Sequence, residues 1–163
     1  MRFIGIISVK DYNKIESELY KKLNEKDYSI ININNETIQN VKNVNFDVIL
    51  IINGNTILTS NNEILKRIIN NSKYLVINAD IENDLKILEE IKTNVISYGF
   101  NLKNTITASS INDESILVGI QRNIKTINSN LIEQQDKKVD IQGKYNTNYM
   151  LGIIVILIIF EKI

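Results

Sequence analysis

The feature that most constrains this chain is an alternation in its first hundred residues between short β-branched apolar runs and segments with helical spacing. The runs are Phe3 to Val9, Tyr28 to Ile33, Asp47 to Ile52, Tyr74 to Asn78 and Asn94 to Tyr98. Runs this short and this apolar suit strands buried on both faces of a sheet. Between them, Tyr12, Ile15, Leu19 and Leu23 fall on one face of a helix predicted from Asp11 to about Lys26, and a weak helical turn is predicted over Thr37 to Val44. Ile64, Leu65, Ile68 and Ile69 mark a further helix with Asn61 or Asn62 as its N-cap, and Leu85, Leu88 and Ile91 place another over Asn83 to Lys92. Asn53-Gly54-Asn55 reads as the breaker that closes the third strand. Strands separated by helices predict an α/β fold, a mostly parallel sheet with helices on both faces.

After Gly99 the rhythm changes. Thr105 to Ile111, Ser115 to Ile124, Leu131 to Gln135 and Lys138 to Gln142 are strand-like, with Asn112-Asp113 and Asn128-Ser129-Asn130 as turns, which predicts antiparallel hairpins. Tyr145 to Ile163 is a helix by its length, although its run of Ile and Val also suits a strand. A chain of 163 residues fits one domain, divided into an α/β part at 1–100, antiparallel strands at 101–142 and an apolar terminal helix at 143–163.

Charge and composition narrow the function. Nineteen basic residues balance nineteen acidic ones, which leaves no net field to recruit nucleic acid or an anionic membrane. Without cysteine there is no thiolate, and without histidine the commonest general base and metal ligand is missing. Met1-Arg2 leads straight into Phe3 to Ile7, too short for a secretory signal, so a cytoplasmic address is expected. The apolar stretch from Tyr149 to Phe160 falls short of the ~20 residues of a transmembrane span, and a buried element is expected there.

The stretch from Tyr74 to Ile111 carries a family resemblance. Its order is a strand ending in Asn78-Ala79-Asp80, a helix, a strand leading into Tyr98-Gly99-Phe100-Asn101, then Ile106-Thr107-Ala108-Ser109-Ser110-Ile111. That order resembles the central ATPase domain of the Mur ligases, which add amino acids to peptidoglycan precursors. Gly143-Lys144-Tyr145-Asn146-Thr147-Asn148-Tyr149-Met150-Leu151 is similar to the glycine, asparagine and apolar helix that close that domain, and Phe3-Ile4-Gly5-Ile6 to the strand feeding its phosphate loop.

The departures from the family decide what the resemblance implies. Where a Mur ligase has Thr-Gly-Thr-x-Gly-Lys-Thr-Thr, this chain has Ile7-Ser8-Val9-Lys10-Asp11-Tyr12-Asn13-Lys14. Both glycines that let backbone amides wrap phosphate are gone, a tyrosine stands at the lysine position, and Asp11 sets a negative charge against a triphosphate. Ser8, Lys10, Asp11 and Tyr12 are thus a degenerate phosphate loop. Of the family's asparagine followed by an Asp-His pair, only Asn53 remains, in Ile52-Asn53-Gly54-Asn55. On this resemblance, the long segment bearing the metal-binding glutamate and the amino-acid-binding C-terminal domain are expected to have no counterpart.

The resemblance therefore implies no catalytic residue, no metal site and no cofactor. It leaves Asn78, Asp80 and Asn53 as the residues that would meet a nucleotide; ATP would be held at the adenine end by Asn78, with Ile81 in place of the motif's second acid. Asn and Asp following a strand more commonly cap the next helix. The expected function is a non-catalytic interaction or regulatory module in bacterial cell-envelope physiology. The alternative is a nucleotide-binding or small ligase-like protein that keeps only the adenine end of the pocket. An apolar Met150 to Phe160 left partly uncovered would favour a homodimer or a protein partner.

Overall fold

The computed structural model describes residues 1–142 and 146–163, with the backbone alone described at Asn55, Thr56 and Leu58. Its strands are β1 (Arg2–Ser8), β2 (Tyr28–Asn32), β3 (Val48–Asn53), β4 (Tyr74–Asn78), β5 (Asn94–Gly99), β6 (Ile106–Ile111), β7 (Ser115–Ile120), β8 (Ile124–Lys125), β9 (Leu131–Ile132) and β10 (Gln135–Asp140). The helices are α1 (Tyr12–Tyr20), α2 (Ile38–Val41), α3 (Asn55–Ser60), α4 (Asn62–Asn70) and α5 (Thr147–Ile159). An eight-stranded sheet runs in the order β10-β7-β6-β5-β4-β3-β1-β2, and β8 with β9 forms a separate two-stranded hairpin. From β2 to β6 neighbours are parallel; β6 with β7 and β7 with β10 are antiparallel.

The α/β class is as expected, and the central strands show why. Alternate residues feed opposite cores: Val48, Leu50 and Ile52 pack with α1 and α5 on one face, and Ile49 and Ile51 with α2, α3 and α4 on the other. The antiparallel character begins one strand later than expected, because β6 pairs in parallel with β5 through Tyr98↔Ile106 and Gly99↔Thr107.

Several boundaries differ for local reasons. The first helix stops at Tyr20, after which the Asn24 carbonyl takes the amides of Asp27 and Tyr28 in a turn. The element expected as an α-helix over Asn83 to Lys92 is a 3₁₀ helix, Glu82–Glu90. Its buried residues Asp84 and Ile87, and its half-buried Leu85 and Leu88, are each three positions apart, the period at which 3₁₀ side chains eclipse. Asn53-Gly54-Asn55 does not merely break the chain; α3 starts on it. The strand expected over Ser115 to Ile124 divides into β7 and β8. Those expected over Leu131 to Gln135 and Lys138 to Gln142 give way to a short β9 and a β10 that spans their junction in register with β7.

The C-terminal segment is a helix, as its length predicts, with the Asn146 side chain accepting from the Asn148 amide at its N-terminus; the correction concerns what covers it. The expected Gly143, Lys144 and Tyr145 of this segment lie outside the described residues. Every residue from Met150 to Phe160 is buried, so the uncovered apolar face that favoured a homodimer is not there. A helix apolar on all sides belongs inside a core, and α5 is enclosed by the sheet, α1 and strands from the chain's own C-terminal part. Gly152 permits the close approach: a Cβ there would lie 2.9 Å from the Tyr98 hydroxyl and 3.0 Å from Leu50 Cδ1. No helix among the described residues is long and apolar enough to cross a membrane.

At the N-terminal ends of β1, β3 and β4, Asp47 ties the strands together. Its carboxylate accepts from the Phe3 amide at 2.9 Å and pairs with Arg2 at 3.0 Å and Lys73 at 2.7 Å. Burial pushes this acid up, but the hydrogen bonds from Lys73, the Phe3 amide and Arg2 prevail and hold it below the usual carboxylate range.

Candidate switch-point cleft

In an open α/β sheet the chain turns to opposite sides at the point where strand order reverses, and this leaves a crevice at the carboxyl ends of the strands. Here that point is β1, flanked by β2 and β3. A cleft of about 660 Å³ opens there, lined by residues 7–14 at the end of β1 and beyond it, residues 32–36 at the end of β2 and beyond it, and Asn53, Gly54 and Ile57 at the end of β3 and beyond it. Its size is that of a small-molecule site.

Four of the sequence-selected residues, Ser8, Lys10, Asp11 and Tyr12, form one wall, and Asn53, the neighbour of Ser8 on β3, lines the same cleft. The wall is held by bonds within itself. The Ser8 hydroxyl donates to the Lys10 carbonyl at 2.6 Å, and Asp11 pairs with Lys14 at 3.1 Å. Asp11 occupies the N-cap of α1 in the left-handed region, φ 63°, without a side-chain capping bond. A left-handed aspartate is tolerated only at isolated positions, and here it brings a carboxylate to the end of the helix that would otherwise attract an anion. The bond to Asp11 raises the Lys14 ammonium above its ordinary pKa. The Tyr12 hydroxyl turns away along the helix to donate to Glu16 at 2.9 Å, and burial followed by that carboxylate drives its pKa well up.

Asparagines supply much of the remaining polarity. Asn34 is spent on its own turn, accepting from the amides of Glu36 and Thr37, and Asn35 accepts from Asn61. The Asn32 Oδ1 is buried with no partner among the described residues, and it belongs to a residue that lines the cleft. An acceptor left like this costs free energy unless something donates to it.

Asn78 and Asp80 do not line this cleft. They sit at the end of β4, with β3 between them and β1. The Asn78 Oδ1 accepts from the Asp80 amide at 3.0 Å, and its Nδ2 is buried without a partner among the described residues. The Asp80 carboxylate accepts from the Phe100 amide at 3.0 Å and lies against Gly99, whose φ of 154° and crowded surroundings require glycine. A narrow gap of about 60 Å³ lies between the two places, bordered by Ser8 to Asp11, Asn53, Ile81, Asn146 and Asn148.

Sequence reasoning missed Asp84. This carboxyl is fully buried; its Oδ2 accepts from the Gly54 amide at 3.0 Å, and its Oδ1 has no partner among the described residues. Burial raises its pKa, opposed by the Gly54 bond. The available signal was its place three residues before buried Ile87, a position that the 3₁₀ period turns inward. Among the described residues no cluster of acids could hold a metal ion.

No protein-family model matches the chain, and no characterised protein matches its sequence. The functional reading rests on the fold and the cleft.

Proposed function

We propose that the chain is a non-catalytic binding domain of Mur ligase-like descent, an interaction or regulatory module of bacterial cell-envelope physiology whose switch-point cleft takes a small polar ligand other than a nucleoside triphosphate. The observation that carries this is the wall of residues 8–14: the Ser8 hydroxyl is spent on the Lys10 carbonyl and the Asp11 carboxylate on the Lys14 ammonium, and Asp11 stands where a phosphate would bind. Descent draws support from the meeting of four distant stretches at one sheet end. Residues 8–11, Asn53, Ile81 and Asn146 with Asn148 border a single gap, as the parts of one ancestral site would.

Titration calorimetry with magnesium-ATP, together with a phosphate-release assay, tests the reading. Neither heat of binding at millimolar nucleotide nor release above background is expected; saturable binding with hydrolysis would overturn it. With α5 covered, the surface offered to a protein partner shifts to the loop after β5, where Phe100 and Leu102 are 48% and 74% exposed.

A second reading, nucleoside binding beside β4, is favoured by the unpartnered Asn78 Nδ2, a donor that suits an adenine nitrogen. Adenosine titrated against the ¹⁵N-labelled protein would shift the Asn78 side-chain amide if this is so. An unmoved Asn78 signal leaves that residue a strand-end cap.

A further inference from the structure

The main sheet ends in two edge strands, β2 and β10, and the described residues close only the first. At β2 the backbone groups that point away from β1 are met from within the chain. The Tyr28 amide donates to the Asn24 carbonyl at 3.0 Å, the Ile30 amide donates to the Tyr20 hydroxyl at 3.1 Å, and the Asn32 carbonyl accepts from the Thr37 hydroxyl at 2.7 Å. A further strand could add there only by displacing them.

The β10 edge is open. Past the end of β10 the Ile141 amide donates to the Glu114 carbonyl at 2.8 Å, and in an antiparallel ladder successive residues turn their backbone groups to opposite sides. Ile141, Val139 and Lys137 therefore face β7, and Asp136, Lys138 and Asp140 turn their amides and carbonyls outward. No described residue bonds those outward groups, and the side chains of the same three residues are exposed and pair with no described residue. A cavity of about 520 Å³ runs beside residues 137–142, which keeps this edge accessible.

We propose that β10 pairs with the β10 of a second copy of this chain, antiparallel about a two-fold axis through Val139, so that two sheets join into one. Identical strands related by a two-fold run antiparallel, and outward residues must then oppose outward residues, which places the axis on a residue of the strand. Through Asp136 or Asp140 the axis opposes two aspartates, and through Lys137 or Lys138 two lysines. Like charges directly opposite are destabilising. Val139 alone among residues 136–140 is uncharged, and with the axis there Lys138 faces Asp140 of the second copy, twice by symmetry, while Lys137 faces Ile141. Charges that repel other strands thus admit this one register. With α5 covered, the contact rests on backbone hydrogen bonds and two charge pairs, and it belongs among weak interfaces.

Analytical ultracentrifugation of the full chain at low salt, from about 1 µM to about 1 mM, tests this. The mass is expected to rise with concentration from 18.7 kDa towards twice that value, and amide exchange at Asp136, Lys138 and Asp140 to slow at the concentrated end. Lys138→Asp alone, or Asp140→Lys alone, sets like charges opposite and is expected to weaken the dimer by about tenfold or more. An equimolar mixture of the two variants should recover it, because each strand then meets the opposite sign. Both substitutions change exposed side chains. A strict monomer throughout overturns the proposal and leaves the lysines as guards of the edge. A dimer indifferent to both substitutions, or a mixture that fails to recover, overturns it as well. So does binding of an extended peptide along 136–140 without self-association.

Discussion

Removing the Asp47 carboxylate tests how the strand ends are tied. In Asp47→Ala the Phe3 amide loses its acceptor, which costs about 1 kcal/mol, and the pairs with Arg2 and Lys73 disappear. Those partners are 36% and 58% exposed, so water takes them back and each pair counts for about 0.2–1 kcal/mol. The sum is a loss of about 2 kcal/mol, whereas Asp47→Asn keeps an acceptor for Phe3 and loses about 1 kcal/mol. The sign with pH follows from the direction of the shift. Because the folded pKa lies below the unfolded one, the contribution is complete above the unfolded value of about 3.9 and is lost as pH falls through the folded value. Urea unfolding of the natural chain and Asp47→Asn, followed from pH 7 to about pH 2, reads both effects. A difference that is absent at pH 7, or that persists undiminished at the acid end, would refute this account of the network.

Three further outcomes are expected. Gly152→Ala gains about 1 kcal/mol of helix propensity but sets a methyl 2.9–3.0 Å from Tyr98 and Leu50, both buried, and overpacking of about 1–3 kcal/mol makes it neutral to destabilising; a clear rise in melting temperature would contradict that close approach. The raised pKa of Asp84 acts opposite to that of Asp47: its unfavourable contribution sets in as pH rises from about 3.9 through the folded value, so Asp84→Asn should flatten that part of the stability profile, and an unchanged profile would count against a charge buried there. Glu161 accepts from Thr126, Asn128 and Asn130, bonds that lower its pKa, so Glu161→Ala should loosen the β8–β9 hairpin. Amide exchange in 124–132 would rise in the variant while the sheet stays protected, and uniform protection throughout would refute it.

Much of the fold was legible along the chain because its signals are local. Apolar runs of strand length separated by helical spacing dictate a parallel sheet covered on both faces, and β1 to β5 fall where those runs lie. Past Gly99 the strands are weakly patterned. Gln135 to Asp140 is nearly all polar and becomes β10 only through its register with β7, a long-range pairing that no local window contains. The cleft wall was legible by position, since Ser8 ends β1, Lys10, Asp11 and Tyr12 come straight after it, and all four line the cleft. Its internal pairing was not, because a left-handed Asp11 bonded to Lys14 is a property of backbone conformation.

By itself, then, the sequence determined the order of elements, the apolar character of α5 and the absence of glycine from the turn after β1, all of which are written in neighbouring residues. Only the tertiary structure decided what those features face. It enclosed α5, separated Asn78 and Asp80 from the switch-point cleft and buried Asp84 beneath Gly54. The physical reason is one of distance: burial and partnership are set by residues far apart in the chain, and strand order within the sheet chooses which of them meet.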